Sequence, residues 1–424
     1  MQCILLSETL SVEITDTKVS DVGHAPIVAN QTSVRSLFWA QQQQSAQPAC
    51  LVHIHSAEDI AAVVSVSRTS GCPFAVRGGG HSDIQGASNI DRGITVNMAG
   101  LSDVILDESE GLVKVGAGAT WGDVYKELEK VNKTVVGGRL TGVGVGGLLL
   151  GGGLSHFSGM HGWACDNVRN YEVRNWKLNS GHRLIAHQVV LANGSLASAS
   201  ESSNADLYRA MRGGGNSFGV VTRFDLDVFQ QGPMWGGLHV WPLLPSVTSA
   251  LTRGFVKFAH DAPSDPHVSL FAGLGYKQGN FAWAAGQYDA LGRVEPPIFT
   301  QFKDNVEAYG TAKIMSTARV TSVLDLADEL NQSEPAGMRS RFTTATFSAD
   351  VGLLALMVHI FVEQVQKALD NGLQDDQGFA PMLGIQPLTQ NILKAQMTRG
   401  GNVMGLHDDQ APLVGESSHT SFFR

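Results

Sequence analysis

The chain has 424 residues, 43% hydrophobic and 16% charged, with 30 Lys and Arg against 39 Asp and Glu for a net charge of −9. That length accommodates two domains that each bury a core. The acidic balance, with no clustered run of Lys and Arg, argues against a phosphate-backbone binder, so nucleic acid is not an expected partner.

The first sixteen residues, MQCILLSETLSVEITD, have no positive leading region and only a three-residue apolar core, so they do not read as a signal peptide. Cys50–Ile54 reads as a short strand. Ser56-Ala-Glu-Asp59 has capping-box spacing, and Ile60, Ala61, Val63, Val64 and Val66 give the following helix one apolar face. Pro73–Arg77 is the next strand and runs into RGGGHS. The four cysteines, Cys3, Cys50, Cys72 and Cys165, lack metal-ligand spacing. Cys50 and Cys72 each stand at the head of an expected strand, so a disulfide between them is expected. Thr95–Met98 and Leu112–Val115 are further strands, and Trp121–Val131 is a helix. Trp121 and Trp163 read as packing residues. The alternating stretch Phe218–Val228 closes this region as a strand.

A different region begins near Gly232. Leu270–Tyr276 and Phe281–Tyr288 alternate around Lys277–Asn280, which reads as a hairpin. Helices are expected over Ser246–Ala259, Pro297–Tyr309 and Leu353–Leu373. The apolar run Leu353–Val362, interrupted by His359, is too short to span a bilayer. It reads as a buried helix, which Glu363, Gln364 and Lys367 continue amphipathically. Strands and helices without strict alternation imply an α+β domain.

Glycine carries the most information. The chain has 48, gathered at Gly78–Gly86, Gly137–Gly153 and Gly213–Gly219 with no fixed period. Such clusters mark backbone that passes close to something or adopts positive φ. A strand ending in Arg77-Gly-Gly-Gly-His-Ser82 has the parts of a diphosphate cradle, because successive N–H groups can converge on phosphate oxygens. A lone triple glycine would more often be a tight turn, but two further clusters favour the cradle. Gly142–Gly147 also meets G-x-G-x-x-G spacing. Its flanks, TVVGGRLT and LLLGGGLS, do not supply the strand and helix that a Rossmann site requires.

Three blocks, FAVRGGGHSDIQGASNID, VVGGRLTGVGVGGLLLGGGLSHFSGMHGWACDNVRNYEV and LYRAMRGGGNSFGVVTRFDL, resemble the flavin domain of berberine-bridge-enzyme-like oxidoreductases. These belong to the vanillyl-alcohol-oxidase superfamily, and the resemblance runs from about Val34 to Leu406. It implies an α+β fold: a two-lobed p-cresol-methylhydroxylase-type FAD-binding domain, plus a substrate domain with an antiparallel sheet flanked by helices. The implied division is 1–45 as an N-terminal segment, 46–231 as the FAD-binding domain, 232–410 as the substrate domain and 411–424 as an atypical tail. FAD is the implied cofactor, bonded through the His81 imidazole to the flavin 8α carbon. Some members carry a second bond from a cysteine; here Leu140 stands near its usual place, so attachment through His81 alone is implied. Arg77, Gly78, Gly79, Gly80, Ser82, Gly86, Gly142, Val143, Gly144, Gly146, Gly147, Gly151, Gly152, Gly153 and Asp166 would line the flavin. Gly219 and Val220 would offer backbone contacts toward the adenine.

Two departures from the family pattern stand out. Asn170-Tyr-Glu-Val173 and Val190-Leu-Ala-Asn-Gly194 read as halves of one strand and turn, separated by Arg174–Val189. The length of this segment keeps the reading frame, and we read it as a retained short intron, with a surface loop as the alternative. The tail GESSHTSFFR does not resemble the family's C-terminal segment, which covers the flavin and supplies catalytic residues. The catalytic base is therefore unassigned; Tyr276 and His359 are ionisable but carry no distinguishing mark.

The resemblance implies two-electron oxidation of a small organic substrate, of the kind found in fungal secondary metabolism, with O2 as acceptor giving H2O2. The alternatives are a dehydrogenase using another acceptor and a catalytically dead protein that binds FAD or a ligand. Sequons at Asn30, Asn132, Asn193 and Asn331 add weakly to an expectation of secretory-pathway localisation. No membrane association is expected.

Overall fold

A computed structural model describes residues 14–16, 35–172, 189–300, 302, 313–373 and 378–422. The first lobe is a four-stranded sheet of β1 (Ile14–Asp16), β2 (Cys50–His53), β3 (Phe74–Arg77) and β4 (Ile94–Asn97), ordered β1-β2-β4-β3. β4 is parallel to both β2 and β3, and all four of its residues are buried. A central parallel strand must be apolar on both faces, which Ile94 and Val96 help supply. Between β2 and β3 runs α1 (Ala57–Ser70), started by the expected capping box of Ser56 and Asp59 and ended by Gly71 at φ 68°.

This order corrects the expected Cys50–Cys72 disulfide. β4 lies between β2 and β3, so the two strands are separated by two inter-strand spacings, about 10 Å. That exceeds the reach of a disulfide. Both cysteines are buried and no bond joins them.

The second lobe is an antiparallel sheet of β5 (Val104–Asp107), β6 (Leu112–Gly116), β8 (Val168–Glu172), β11 (Ala199–Ser200) and β12 (Arg223–Asp227), ordered β11-β8-β12-β6-β5. Two pairs of short strands accompany it: β7 (Lys133–Thr134) with β13 (Phe229–Gln230), and β9 (Val189–Val190) with β10 (Leu196–Ala197). α2 (Trp121–Glu129) starts with a second capping box, Thr120 with Asp123. Trp121 is fully buried. Added Cβ atoms on Gly137 and Gly138 would stand 2.5 Å from its indole, so those two glycines make room for the ring.

The lobes meet backbone to backbone. A Cβ on Gly79 would fall 2.6 Å from Gly144 Cα, and one on Gly144 would fall 2.7 Å from Gly79 Cα. α3 (Val145–Leu150) begins immediately after this contact.

The interrupted strand re-enters in phase. Leu196 pairs with Val190 and Ala197 with Val189, while Ala199 pairs with Tyr171 and Ser200 with Asn170. Only Ser198 separates the two pairings on that strand. The opposite side leaves the ladder at Glu172 and resumes at Val189; residues 173–188 lie outside the described part. Removing 174–189 gives the same chain as removing 173–188, because Val173 and Val189 are the same residue type. Either way the two half-hairpins would fuse at the register they already hold.

The second domain is built on an eight-stranded sheet. Its strands are β14 (Met234–Pro242), β15 (Val268–Lys277), β16 (Asn280–Asp289), β17 (Met315–Ser316), β18 (Arg319–Thr321), β19 (Arg339–Ser348), β20 (Met382–Leu388) and β21 (Leu413–Phe422). The expected hairpin is β15–β16, closed by Gln278 and Gly279, both at positive φ as its right-handed twist requires. β21 pairs with β19 and β20, so the residues set apart as a tail contribute a strand to this sheet. Three helices follow the sequence reading or add to it: α4 (Ala205–Met211) in the first domain, α5 (Pro245–Asp261) and α6 (Val323–Gln332) in the second. The helix expected over Pro297–Tyr309 lies mostly outside the described residues; its start is a short 3-10 turn, Pro297–Phe299.

α7 (Val351–Asp370) departs from the buried helix expected there. Only Leu354, Val358 and Val365 are buried, while Leu353, Leu356 and Ile360 are 42%, 52% and 45% exposed. The helix lies on the outside of the domain core, so one stripe is covered and the other is not. With 20 residues and a mean hydropathy of 1.3 it is long and apolar enough to cross a membrane by length and composition.

Two outcomes are expected. Gly79→Ala forces a methyl group against the Gly144 backbone and should destabilise the first domain by about 1–3 kcal/mol or more, read as a fall in the midpoint of chemical unfolding. Gly232→Ala, at an ordinary φ with nothing within 4 Å of the added methyl, serves as the control for loss of glycine alone. Deleting 174–189 should raise the thermal midpoint and the flavin bound per chain, because one continuous hairpin replaces two short ones. A deletion variant less stable than the full chain would count against that reading.

Candidate cofactor and active site

A cavity of about 800 Å³ opens between the two lobes, within the range of cofactor sites. Its walls bring together Gly78, Gly79, Gly80, His81, Ser82 and Gly86 from the first glycine cluster. Val143, Gly144, Gly146, Gly147 and Gly151 come from the second, and Gly219 and Val220 from the end of the third. Thirteen of the eighteen residues singled out by sequence are thus on one surface. Glycine at these points lets the backbone form the wall itself, with no side chain to stand between it and a ligand.

Each residue of Arg77–His81 has its own task. The Arg77 side chain turns away from the cavity, donating from Nε to Leu37 O at 3.0 Å and from Nη1 to Asn97 Oδ1 at 2.8 Å. Gly78 packs on Ala117 O, Gly79 on Gly144, and Gly80, at φ 71°, on Leu37 O, which a Cβ there would strike. His81 then enters the cavity half-buried, with its imidazole stacked on the Trp39 indole at 4.6 Å and 11° between planes. Burial lowers the His81 pKa, against a smaller opposite effect from a hydrogen bond with its own backbone. The ring is therefore neutral at pH 7 and keeps a nitrogen lone pair.

Five of the singled-out residues are not on the cavity surface: Arg77, Gly142, Gly152, Gly153 and Asp166. Gly142 N donates to Asn331 Oδ1 on α6 at 2.8 Å. A Cβ on Gly152 would stand 2.5 Å from Met404 Sδ, and one on Gly213 2.5 Å from Met404 Cγ. These two glycines therefore admit a methionine from a segment late in the second domain. Gly153 is hemmed in by Leu148 and Ala164. Asp166 is buried, accepting from Trp163 N at 2.9 Å and Asn402 Nδ2 at 3.1 Å, and burial raises its pKa. With Arg212, whose guanidinium donates to Arg399 O, these residues clamp the 399–404 segment to the first domain.

The sequence reading missed the other end of the cavity. Val64, Ser67 and Arg68 on α1 line it, with Val190, Leu191 and Ala192 opposite. Arg68 also donates to Asn193 O at 3.1 Å. The helical spacing of Ile60, Val64 and Ser67 was a usable signal, since one helix face carries all three. Val190 is held by paired bonds to Val220 at 3.0 Å, and Gly219 is required there because a Cβ would fall 2.6 Å from Val190 O. The half-hairpin that follows the interruption is therefore part of the cavity wall.

At the domain interface Arg139 donates to Gln386 Oε1 at 2.5 Å and lies over the Phe271 ring at 5.1 Å. His156 bonds Ser269 Oγ at 3.2 Å and packs on Tyr288 at 4.0 Å, and burial drives its pKa far down. Neither Tyr276 nor His359 reaches the cavity: Tyr276 packs among Phe281 and Phe379, and His359 is on the exposed part of α7. Among the described residues no group of three or more His, Cys, Asp or Glu could hold a metal.

Residues 48–177 match the family described as FAD binding domain. The chain is 78% identical over 412 residues to the FAD-dependent monooxygenase tpcD of Cochliobolus heterostrophus, covering 97% of this chain and 76% of that one. It is 64% identical over 422 residues to the FAD-dependent monooxygenase FUP4 of Fusarium proliferatum, covering 100% and 78%. Among solved structures, xylooligosaccharide oxidase from Myceliophthora thermophila superposes with a TM-score of 0.73 at 18% identity, covering 100% of this chain and 83% of that one. The carbohydrate oxidase from Microdochium nivale does so with 0.73 at 20% identity, covering 100% and 83%. The chain belongs to the berberine-bridge-enzyme-like, p-cresol-methylhydroxylase-type FAD-linked oxidoreductases of the vanillyl-alcohol-oxidase superfamily, close to the FAD-dependent monooxygenases of fungal secondary metabolism.

Proposed function

We propose that this enzyme oxidises a small organic substrate of secondary metabolism by removing two electrons onto FAD bonded through His81 alone, with O2 as the acceptor. The observation that carries the reading is His81 itself, a neutral imidazole at the end of a glycine-built cradle. A solved structure of glucooligosaccharide oxidase from Acremonium strictum, also of this fold, is described as carrying a 6-S-cysteinyl, 8α-N1-histidyl FAD. Leu140 cannot form a thioether, so this chain would hold its flavin by one bond. Such an attachment would join a His81 ring nitrogen to the 8α carbon, with one proton lost from the methyl group, one from the imidazole, and two electrons taken by O2 to give H2O2.

The flavin supplies the two-electron chemistry when bound. The protein's part would be to hold it: the backbone of Gly78–Gly80 and of Gly144, Gly146 and Gly147 would supply N–H groups to the diphosphate, and Gly219, Val220 and the α1 face would enclose the adenine end. Arg139, His156 and Tyr288 bring polar groups to the interface where the second domain meets this module.

Acid precipitation checks the attachment. The parent chain should give a yellow pellet, and His81→Ala should release essentially all of its flavin to the supernatant; flavin fully released from the parent would overturn the linkage. A second reading, oxygen insertion into the substrate, is favoured by the names of the relatives at 78% and 64% identity. Turnover under labelled O2 separates the two. The oxidase reading requires about one H2O2 per product and no label in the product, whereas labelled product would establish the monooxygenase.

A further inference from the structure

We propose that Trp39 is a positioning residue for His81: its indole fixes the plane in which the imidazole faces the cavity, and so governs how readily the chain bonds its flavin. The proposal rests on the attachment through His81 put forward above and adds the element that makes it efficient.

Trp39 lies behind His81, not on the cavity wall. It is 9% exposed and stacks nearly parallel on the imidazole. Its position is set by both domains. Trp39 N donates to Gly80 O at 2.9 Å, tying it to the histidine's own loop. Trp39 Nε1 donates to Glu334 O at 3.2 Å, and Trp39 O accepts from Gly337 N at 2.7 Å, both in the second domain. The Phe342 ring closes on it at 6.1 Å. The strap carrying it is anchored by Arg77 at Leu37 O and by Gln41 N donating to Met338 O at 2.8 Å.

A histidine's outer torsion is broad and roughly two-fold, so an unsupported ring samples many planes. A flat wall held at three backbone points restrains the plane. Attack on carbon requires the nitrogen lone pair to point along the forming bond, and misorientation by tens of degrees costs rate steeply. Trp39 therefore acts through His81, and nothing in its placement calls for contact with the flavin.

The test adds FAD to the flavin-free protein and follows the fraction of flavin retained after acid precipitation. Trp39→Leu should slow covalent attachment about tenfold, and Trp39→Phe, which keeps a flat ring, should stay within about threefold of the parent. In the His81→Ala background, Trp39→Leu should leave non-covalent FAD affinity within about twofold, since the indole is not a cofactor contact. Attachment as fast in Trp39→Leu as in the parent overturns the proposal. So does equal loss in Trp39→Phe and Trp39→Leu, or a parallel fall in FAD affinity in the His81→Ala background. A parent that releases all its flavin sinks the His81 attachment itself, and the positioning role falls with it; a parent that keeps its flavin while Trp39→Leu keeps pace sinks the positioning role alone.

Discussion

Two peptide backbones crossing at Gly79 and Gly144 set the geometry on which the rest of the first domain depends. No pair of residues with side chains can approach so closely, so the first and second glycine clusters are specified together rather than separately. The crossing brings the end of β3 against the start of α3, and the cavity is the space left on one side of it. His81 follows two residues later and inherits its direction from this contact. A cradle made of backbone also explains why so long a cavity, about 800 Å³, carries so few charged side chains on its wall.

Much of this was legible because it is local. The capping boxes at Ser56 and Thr120, the β15–β16 hairpin and the strand ahead of RGGGHS depend on residues a few positions apart, and the structure has them. Glycine clusters also announced a backbone-lined site, and most of their residues share one cavity. What sequence alone did not show was what each glycine meets. Gly152 and Gly213 look like cradle residues, yet the atom they admit is the sulfur-bearing side chain of Met404, nearly 200 positions away from the nearer of them. Asp166 likewise serves Asn402. Strand order is non-local in the same way: β4 enters between β2 and β3 from later in the chain, which separates Cys50 from Cys72. α7 shows the limit of composition, because an apolar helix reads as buried until its surroundings are known.

The interruption after Glu172 has a structural logic that its amino-acid content does not reveal. The chain leaves the ladder and returns to it without shifting the pairing of Leu196–Ser200 by a residue. A slip of one position would have turned Val190 from the cavity wall to the opposite face. The paired bonds between Val190 and Val220 fix the returning strand independently of β8, so the wall at the α1 end does not rely on an unbroken β8–β9 strand. That independence lets the ladder break off so close to the cavity wall without moving it.

The same economy governs the histidine. A histidine proposed to bond a carbon atom needs a neutral ring, a fixed plane and a rigid loop, and these come from three different sources. Burial supplies the neutral ring. The glycine crossing supplies the rigid loop, since Gly79 lies against the Gly144 backbone and Gly80 against that of Leu37. The plane comes from Trp39, whose strap is bonded at one end to Arg77 and at the other to the second domain. The motif RGGGH therefore contains two anchors for that strap: Arg77, whose side chain turns away from the cavity, and Gly80, which lines it. Arg77 and Gly80 hold the strap, and through it the second domain bears directly on the residue proposed to carry the flavin.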